Sequence, residues 1–146
     1  MKDLYYVALK LFLRRGGKLL IIKDVYEGWD MPGGRIRKDE FSALFEKIIA
    51  RKVREELGPY VRYTLGKPLV FMRHERHEAA LPSRPKVRIF AVGYEGRWRG
   101  GEIKLGPVHK EFRWVPIRTF RPDKYFKGGW LKGVKEYLRS KRRTKR

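Results

Sequence analysis

The sequence predicts an α/β fold, a sandwich in which a mixed β-sheet lies between helices. Three observations predict it. Two apolar runs near the start are separated by Gly16-Gly17, and apolar residues then recur at helical spacing up to Leu57. After further strand-like runs, a second helical pattern closes the chain over Trp130–Leu138, giving the order β-β-α-β-β-β-α with no internal repeat. At 146 residues the chain is one domain's worth, enough to bury a core without disulfides or metals.

The elements follow in order. Leu4 to Leu13 is rich in Tyr, Val, Leu and Phe, and Lys18 to Val25 follows the glycine turn, so the opening reads as a hairpin. Tyr26 to Arg35 reads as loop, because Pro32 and its neighbouring glycines suit neither a helix nor a central strand. Phe41, Leu44, Phe45, Ile48, Ile49, Val53 and Leu57 fall on one helical face, and Gly58-Pro59 stops that helix. Val61 to Phe71 is a strand with a turn-like Gly66-Lys67-Pro68 inside it, and Arg73 to Lys86 is a polar loop. Val87 to Tyr94 is a central strand, Gly96 to Gly101 turns, Glu102 to Leu105 is short and extended, and Glu111 to Pro116 is the last strand. The expected organisation is one domain over residues 1–138 and a basic, disordered tail over 139–146.

Charge narrows the partners. The chain carries 37 basic and 16 acidic residues, a net +21; the last eight residues hold six of the cations, and removing them leaves +15. Such an excess attracts polyanions without choosing among them. RNA is therefore expected as a second partner beside a small anionic substrate, although no nucleic-acid motif is visible. Cysteine is absent, which excludes a disulfide framework and a thiolate metal site. No apolar stretch approaches the roughly 18 residues of a membrane span. A cytoplasmic protein with no membrane partner is expected.

Residues 28 to 58 carry most of the chemistry. Gly28-Trp29-Asp30-Met31-Pro32-Gly33-Gly34-Arg35-Ile36 is a glycine-rich loop, Glu40 follows, and Arg51-Lys52-Val53-Arg54-Glu55-Glu56-Leu57-Gly58 ends the helix on two adjacent carboxylates. Paired carboxylates suit a hard, oxygen-seeking cation such as Mg²⁺, and Mg²⁺ suits a phosphate substrate. The spacing resembles the Nudix box, and Gly101–Leu105 with His109–Val115 resembles the later strands of that family. The resemblance implies a Nudix-type α/β/α sandwich that hydrolyses a nucleoside diphosphate-linked substrate with Mg²⁺ or Mn²⁺. It implies Glu55 and Glu56 as metal ligands, Glu40 and Arg51 as an ion pair ordering the catalytic helix, and Gly33, Gly34, Arg35 and Trp29 as substrate-binding. Many relatives form dimers, which makes a homodimer one candidate assembly, although the sequence does not fix the oligomeric state.

Three departures bear on activity. Lys52 stands where the box has a metal-binding glutamate, ten residues rather than seven separate Glu40 from Arg51, and Val108 replaces a glutamate common in relatives. Lys52 and Glu56 are four apart and pair on a helix. A replacement ligand would have to come from Glu40, Glu46 or Glu111. The alternative reading is a catalytically impaired Nudix-fold module that binds nucleotide or RNA through its basic surface. Tyr26, Trp29 and Phe71 are candidates to stack on a base. His74 and His77 are either a surface pair or a weak metal site.

Overall fold

The computed structural model describes residues 1–78 and 86–143. Seven strands form one sheet: β1 (Tyr6–Arg15), β2 (Lys18–Asp24), β3 (Trp29–Asp30), β4 (Gly33–Arg35), β5 (Arg62–Arg76), β6 (Val87–Gly100) and β7 (His109–Pro116). Helix α1 (Phe45–Leu57) covers one face and α2 (Gly128–Arg143) the other. The main path is β3-β2-β1-β6-β5, with β4 paired to β1 and β7 to β2. Among the described residues only β1 and β6 run parallel, so the sheet is mixed, as the sequence predicts.

β1 divides the core by its period of two. Leu9, Leu11 and Leu13 pack with Ile48, Ile49, Val53 and Leu57 of α1. Ala8 and Phe12 point the other way, toward Trp130, Val134 and Tyr137 of α2, and the rings of Phe12 and Tyr137 stack at 4.6 Å. Lys10 lies between Ala8 and Phe12, 5% exposed, with its Nζ 5.0 Å from the Trp130 ring centre. The chain from Lys104 to Gly106 is laid along the end of α1: the Lys104 N–H donates to the Leu57 carbonyl and the Gly106 N–H to that of Glu56. No helix among the described residues is long and apolar enough to cross a membrane.

Several boundaries differ from the sequence expectation. α1 starts at Phe45, not Phe41, and Phe41, Leu44 and Phe45 are exposed rather than core. A 3-10 turn at Lys38–Glu40 fixes Glu40 beneath Arg51, and residues 41–44 carry the chain from that turn to the helix. The ten residues between Glu40 and Arg51 are thus divided between this connection and the start of α1. β5 runs on to Arg76, so the expected loop from Arg73 is strand; Gly66 to Pro68 is an irregularity in register rather than a turn. β6 continues through Gly96, where an added Cβ would stand 2.8 Å from the Leu11 side chain, so that glycine serves close packing. Glu102 to Leu105 is coil. α2 extends five residues past Leu138. Residues 139–143, expected as disordered tail, are therefore helical, and the Arg142 guanidinium donates to the carbonyls of Ile117 and Phe120. Residues 144–146 lie outside the described residues.

Candidate active site

The last two turns of α1 project four charged side chains toward the loop that crosses its face. Arg51 reaches back to Glu40, its Nε 2.5 Å from Oε2 and its Nη2 2.8 Å from Oε1. Glu40 also accepts the Arg37 N–H at 2.8 Å, and the Arg51 hydrogen bonds hold its carboxyl below the usual range. The remaining arm of Arg51 donates to both Glu55 oxygens at 3.2 Å. The planar guanidinium grips Glu40 bidentately and still reaches Glu55 with its remaining arm, a directional geometry that an ammonium point charge lacks. The expected Glu40–Arg51 pair is present.

Glu55 and Glu56 differ in setting. Glu55 is exposed; partial burial raises its pKa, but Arg51 and Lys52 outweigh that and leave it lowered. Glu56 is 8% exposed and accepts the Gly33 N–H at 2.9 Å. Burial pushes the Glu56 carboxyl up, against the opposing charges of Lys10 and Lys52. Lys52 Nζ lies between the two, 3.6 Å from Glu55 and 3.5 Å from Glu56. The i,i+4 pairing expected of Lys52 and Glu56 is present, and Glu55 joins it at i,i+3.

The glycine loop is built around this cluster. Gly33 has φ of 129°, and a Cβ there would lie 2.1 Å from the Leu9 carbonyl oxygen, so only glycine lets β4 pair against β1 while donating to Glu56. A Cβ on Gly34 would meet Lys52 Cε at 2.6 Å; the lysine stem lies over that glycine. Arg35 is engaged elsewhere, paired with Glu78 at 2.8 Å and stacked on Tyr6 at 4.6 Å. Trp29 is half-buried, in edge contact with Tyr125 and 5.0 Å from the Arg113 guanidinium. Tyr26 and Phe71 are exposed.

Two residues not singled out from sequence complete the site. Lys10 pairs with both oxygens of Asp30 at 3.1 and 3.0 Å, and both influence Glu56 electrostatically. The signal for Lys10 was its place as a single charge inside an apolar strand run. Of the histidine pair, His74 is half-buried, stacking on Trp130 at 4.4 Å and accepting the Gly129 N–H at 3.1 Å, whereas His77 is exposed.

The donor set decides what cation fits. Among the described residues no group of three acidic or histidine side chains could hold a metal. Glu40 is committed to Arg51. Two carboxylates nevertheless converge on one cationic centre, the Lys52 ammonium, which stands in for a cation at that position. Mg²⁺ often takes only one or two protein carboxylates, completed by water and substrate phosphates. Glu55 and Glu56 are the residues that would hold such an ion, at the position the Lys52 ammonium now takes.

Comparison with solved structures agrees with this fold. The chain superposes on a MutT protein from Methanosarcina mazei Go1 over 99% of both chains at 20% identity, with a TM-score of 0.77. An ADP-ribose pyrophosphatase from Streptococcus suis 89-1591 matches at 14% identity over 92% of this chain and 90% of that one, TM-score 0.64. A MutT NUDIX hydrolase from Burkholderia pseudomallei matches at 19% identity over 92% and 98%, TM-score 0.63. No curated protein matches the chain by sequence. The family model described as NUDIX domain matches residues 5–132, which span the glycine loop, the clamped glutamates and the whole sheet, and the chain belongs to that family.

Proposed function

We propose that this protein hydrolyses a diphosphate linkage in a nucleotide-type substrate, using Mg²⁺ or Mn²⁺ held by Glu55 and Glu56. The observation that carries the reading is the convergence of those carboxylates on one cation position beside the Gly33–Gly34 backbone. When bound, the cation would supply charge stabilisation at phosphorus and activation of the attacking water. Arg51 and Glu40 hold Glu55 in place, and the Gly33 N–H fixes Glu56. Gly34 lets phosphate approach the main chain where the Lys52 stem now lies. Trp29 offers an aromatic surface for the base, and Arg35, if released from Glu78, a cation for a phosphate.

A second reading is favoured by Lys52 alone: its ammonium already neutralises the pair, as it would in a module that binds a nucleotide without cleaving it. Calorimetric titration with Mg²⁺ and Mn²⁺, with and without ADP-ribose, followed by product analysis of the same sample, separates the two. Hydrolysis predicts metal binding that tightens with the nucleotide, appearance of AMP, and loss of both in Glu55→Gln/Glu56→Gln. Nucleotide binding unaffected by chelator, with no product from neutral to alkaline pH, would replace the first reading with the second.

A further inference from the structure

The positive charge is not spread evenly, and where it gathers much of it lacks an internal partner. Around the box each buried or half-buried cation faces a carboxylate: Lys10 with Asp30, Arg51 with Glu40, Lys52 with Glu55 and Glu56. The opposite situation holds beside the C-terminal half of α2. A hollow of about 740 Å³ lies between α2 and the segment after β7. A second, about 440 Å³, adjoins it, since Arg118 and Arg142 line both. A third, about 490 Å³, shares Gly17 with the second and continues round the β1–β2 turn to Trp114. Ten lysines and arginines line the three hollows against one carboxylate, Asp123.

Some of these cations have structural duties. Lys135 takes Asp123, Lys141 and Arg14 take Glu95, and Arg142 holds carbonyls. Arg118, Arg121, Arg139 and Arg143 do not: all four are exposed, and among the described residues none has a carboxylate within ion-pair distance. Four guanidinium groups without a carboxylate at ion-pair distance gather around the first of these neighbouring hollows, Arg118 reaching the second as well, and their mutual repulsion is relieved by an anion laid along them.

We propose that this track binds the phosphodiester backbone of a single-stranded nucleic acid. Three observations favour that occupant. Each hollow is of ligand size, within the range of roughly 300–1,000 Å³, so the series suits a chain of repeating anionic units rather than one small molecule. The track bends round a turn, which a flexible strand follows and a stiff duplex does not. Its third hollow carries the half-buried Trp114, with the Arg15 guanidinium 5.7 Å from that ring, and a base can stack on such a surface. A lipid surface is disfavoured because none of the exposed large apolar side chains lines the track, leaving nothing to insert. None of the lining residues belongs to the glycine loop or α1, so the inference stands apart from either reading of the box.

The test is fluorescence anisotropy with a labelled oligouridine of about 12 nucleotides, and an oligothymidine of equal length, at about 50 to 300 mM KCl. The full-length protein is compared with Arg118→Ala/Arg121→Ala/Arg139→Ala/Arg143→Ala and with Lys38→Ala/Lys47→Ala/Arg54→Ala/Lys67→Ala, which removes equal charge from other exposed positions. The first variant is expected to lose at least about tenfold in affinity and to flatten the slope of log K against log salt by about 3, from roughly 0.7 per phosphate contact. The second should lose only a few-fold. Arg118→Glu, at the junction of two hollows, should weaken binding in the same direction and guards against misfolding of the fourfold variant. Binding of either strand that the first variant loses selectively supports the track, and the ratio of RNA to DNA affinity assigns the source. Equal losses in the two fourfold variants, no binding at the lowest salt, or stronger binding to phosphatidylserine vesicles than to either strand would overturn the proposal.

Discussion

At the scale of single residues, Lys52 sets how the box behaves. It brings a positive charge where a carboxylate would bring a negative one, within 3.6 Å of both metal-binding candidates. One unit charge at 4 Å is worth about 4 kcal/mol at an effective dielectric of 20. Lys52→Glu is therefore expected to raise Mg²⁺ affinity at least about tenfold, read by calorimetry without substrate; unchanged affinity would mean that this pair is not the cation site. The two loop glycines give a contrasting pair. Gly33→Ala drives a Cβ against the Leu9 carbonyl at positive φ and should cost about 3 kcal/mol or more in urea unfolding. Gly34→Ala meets only the flexible end of Lys52, so it should cost less than about 1 kcal/mol and nothing in a Lys52→Ala background. The box residues were legible because their spacing is a property of sequence. The Lys10–Asp30 pair was not, since β2 lies between them along the chain and only the folded sheet brings them together.

At the scale of elements, the centres of helices and strands followed from apolar periodicity, while their ends were decided by contacts that pattern does not encode. Phe41 and Leu44 keep helical spacing, yet Glu40 is drawn under Arg51 and its turn postpones α1 to Phe45. Gly96 resembles a turn residue, but the crowding of Leu11 explains it. The same holds for the end of α2, which its composition marks as a solvated tail. Glu95 on β6 accepts from Tyr137 at 2.7 Å and from Lys141 at 2.9 Å, with Arg14 at 3.4 Å. Partial burial raises the Glu95 pKa, but those partners outweigh it and leave it lowered. The folded state thus favours the ionised form more than the unfolded chain does. The resulting stability is present above the unfolded value near 4.3 and is lost as pH falls through the lower folded value. Glu95→Gln should cost about 1.5–3 kcal/mol near neutrality. By thermal unfolding the gap to the unsubstituted protein should stay constant down to about pH 5 and close below about pH 4. A gap that widens in acid would contradict the assignment.

At the scale of the whole molecule, the excess of 37 cations over 16 anions must be paid in self-repulsion, and the structure concentrates part of it along the α2 track. Salt acts on this balance in two opposite ways. It weakens surface ion pairs, worth about 0–1 kcal/mol each, and it screens repulsion among like charges. The principal pairs of the box and of Glu95 are substantially buried and so poorly screened, whereas Arg118, Arg121, Arg139 and Arg143 stand in solvent with like-charged neighbours. Screening of repulsion therefore wins. Raising KCl from about 20 to 200 mM, across which the Debye length falls from about 20 to about 7 Å, should raise the thermal midpoint by a few degrees, equivalent to about 1 kcal/mol for a chain of this size. The fourfold arginine-to-alanine variant should start from a higher midpoint at low salt and gain less from the same increment, because the screened repulsion has already been removed. A midpoint that falls with salt, or an equal rise in the variant, would locate the strain elsewhere on the surface and leave the track without an energetic reason to seek an anion.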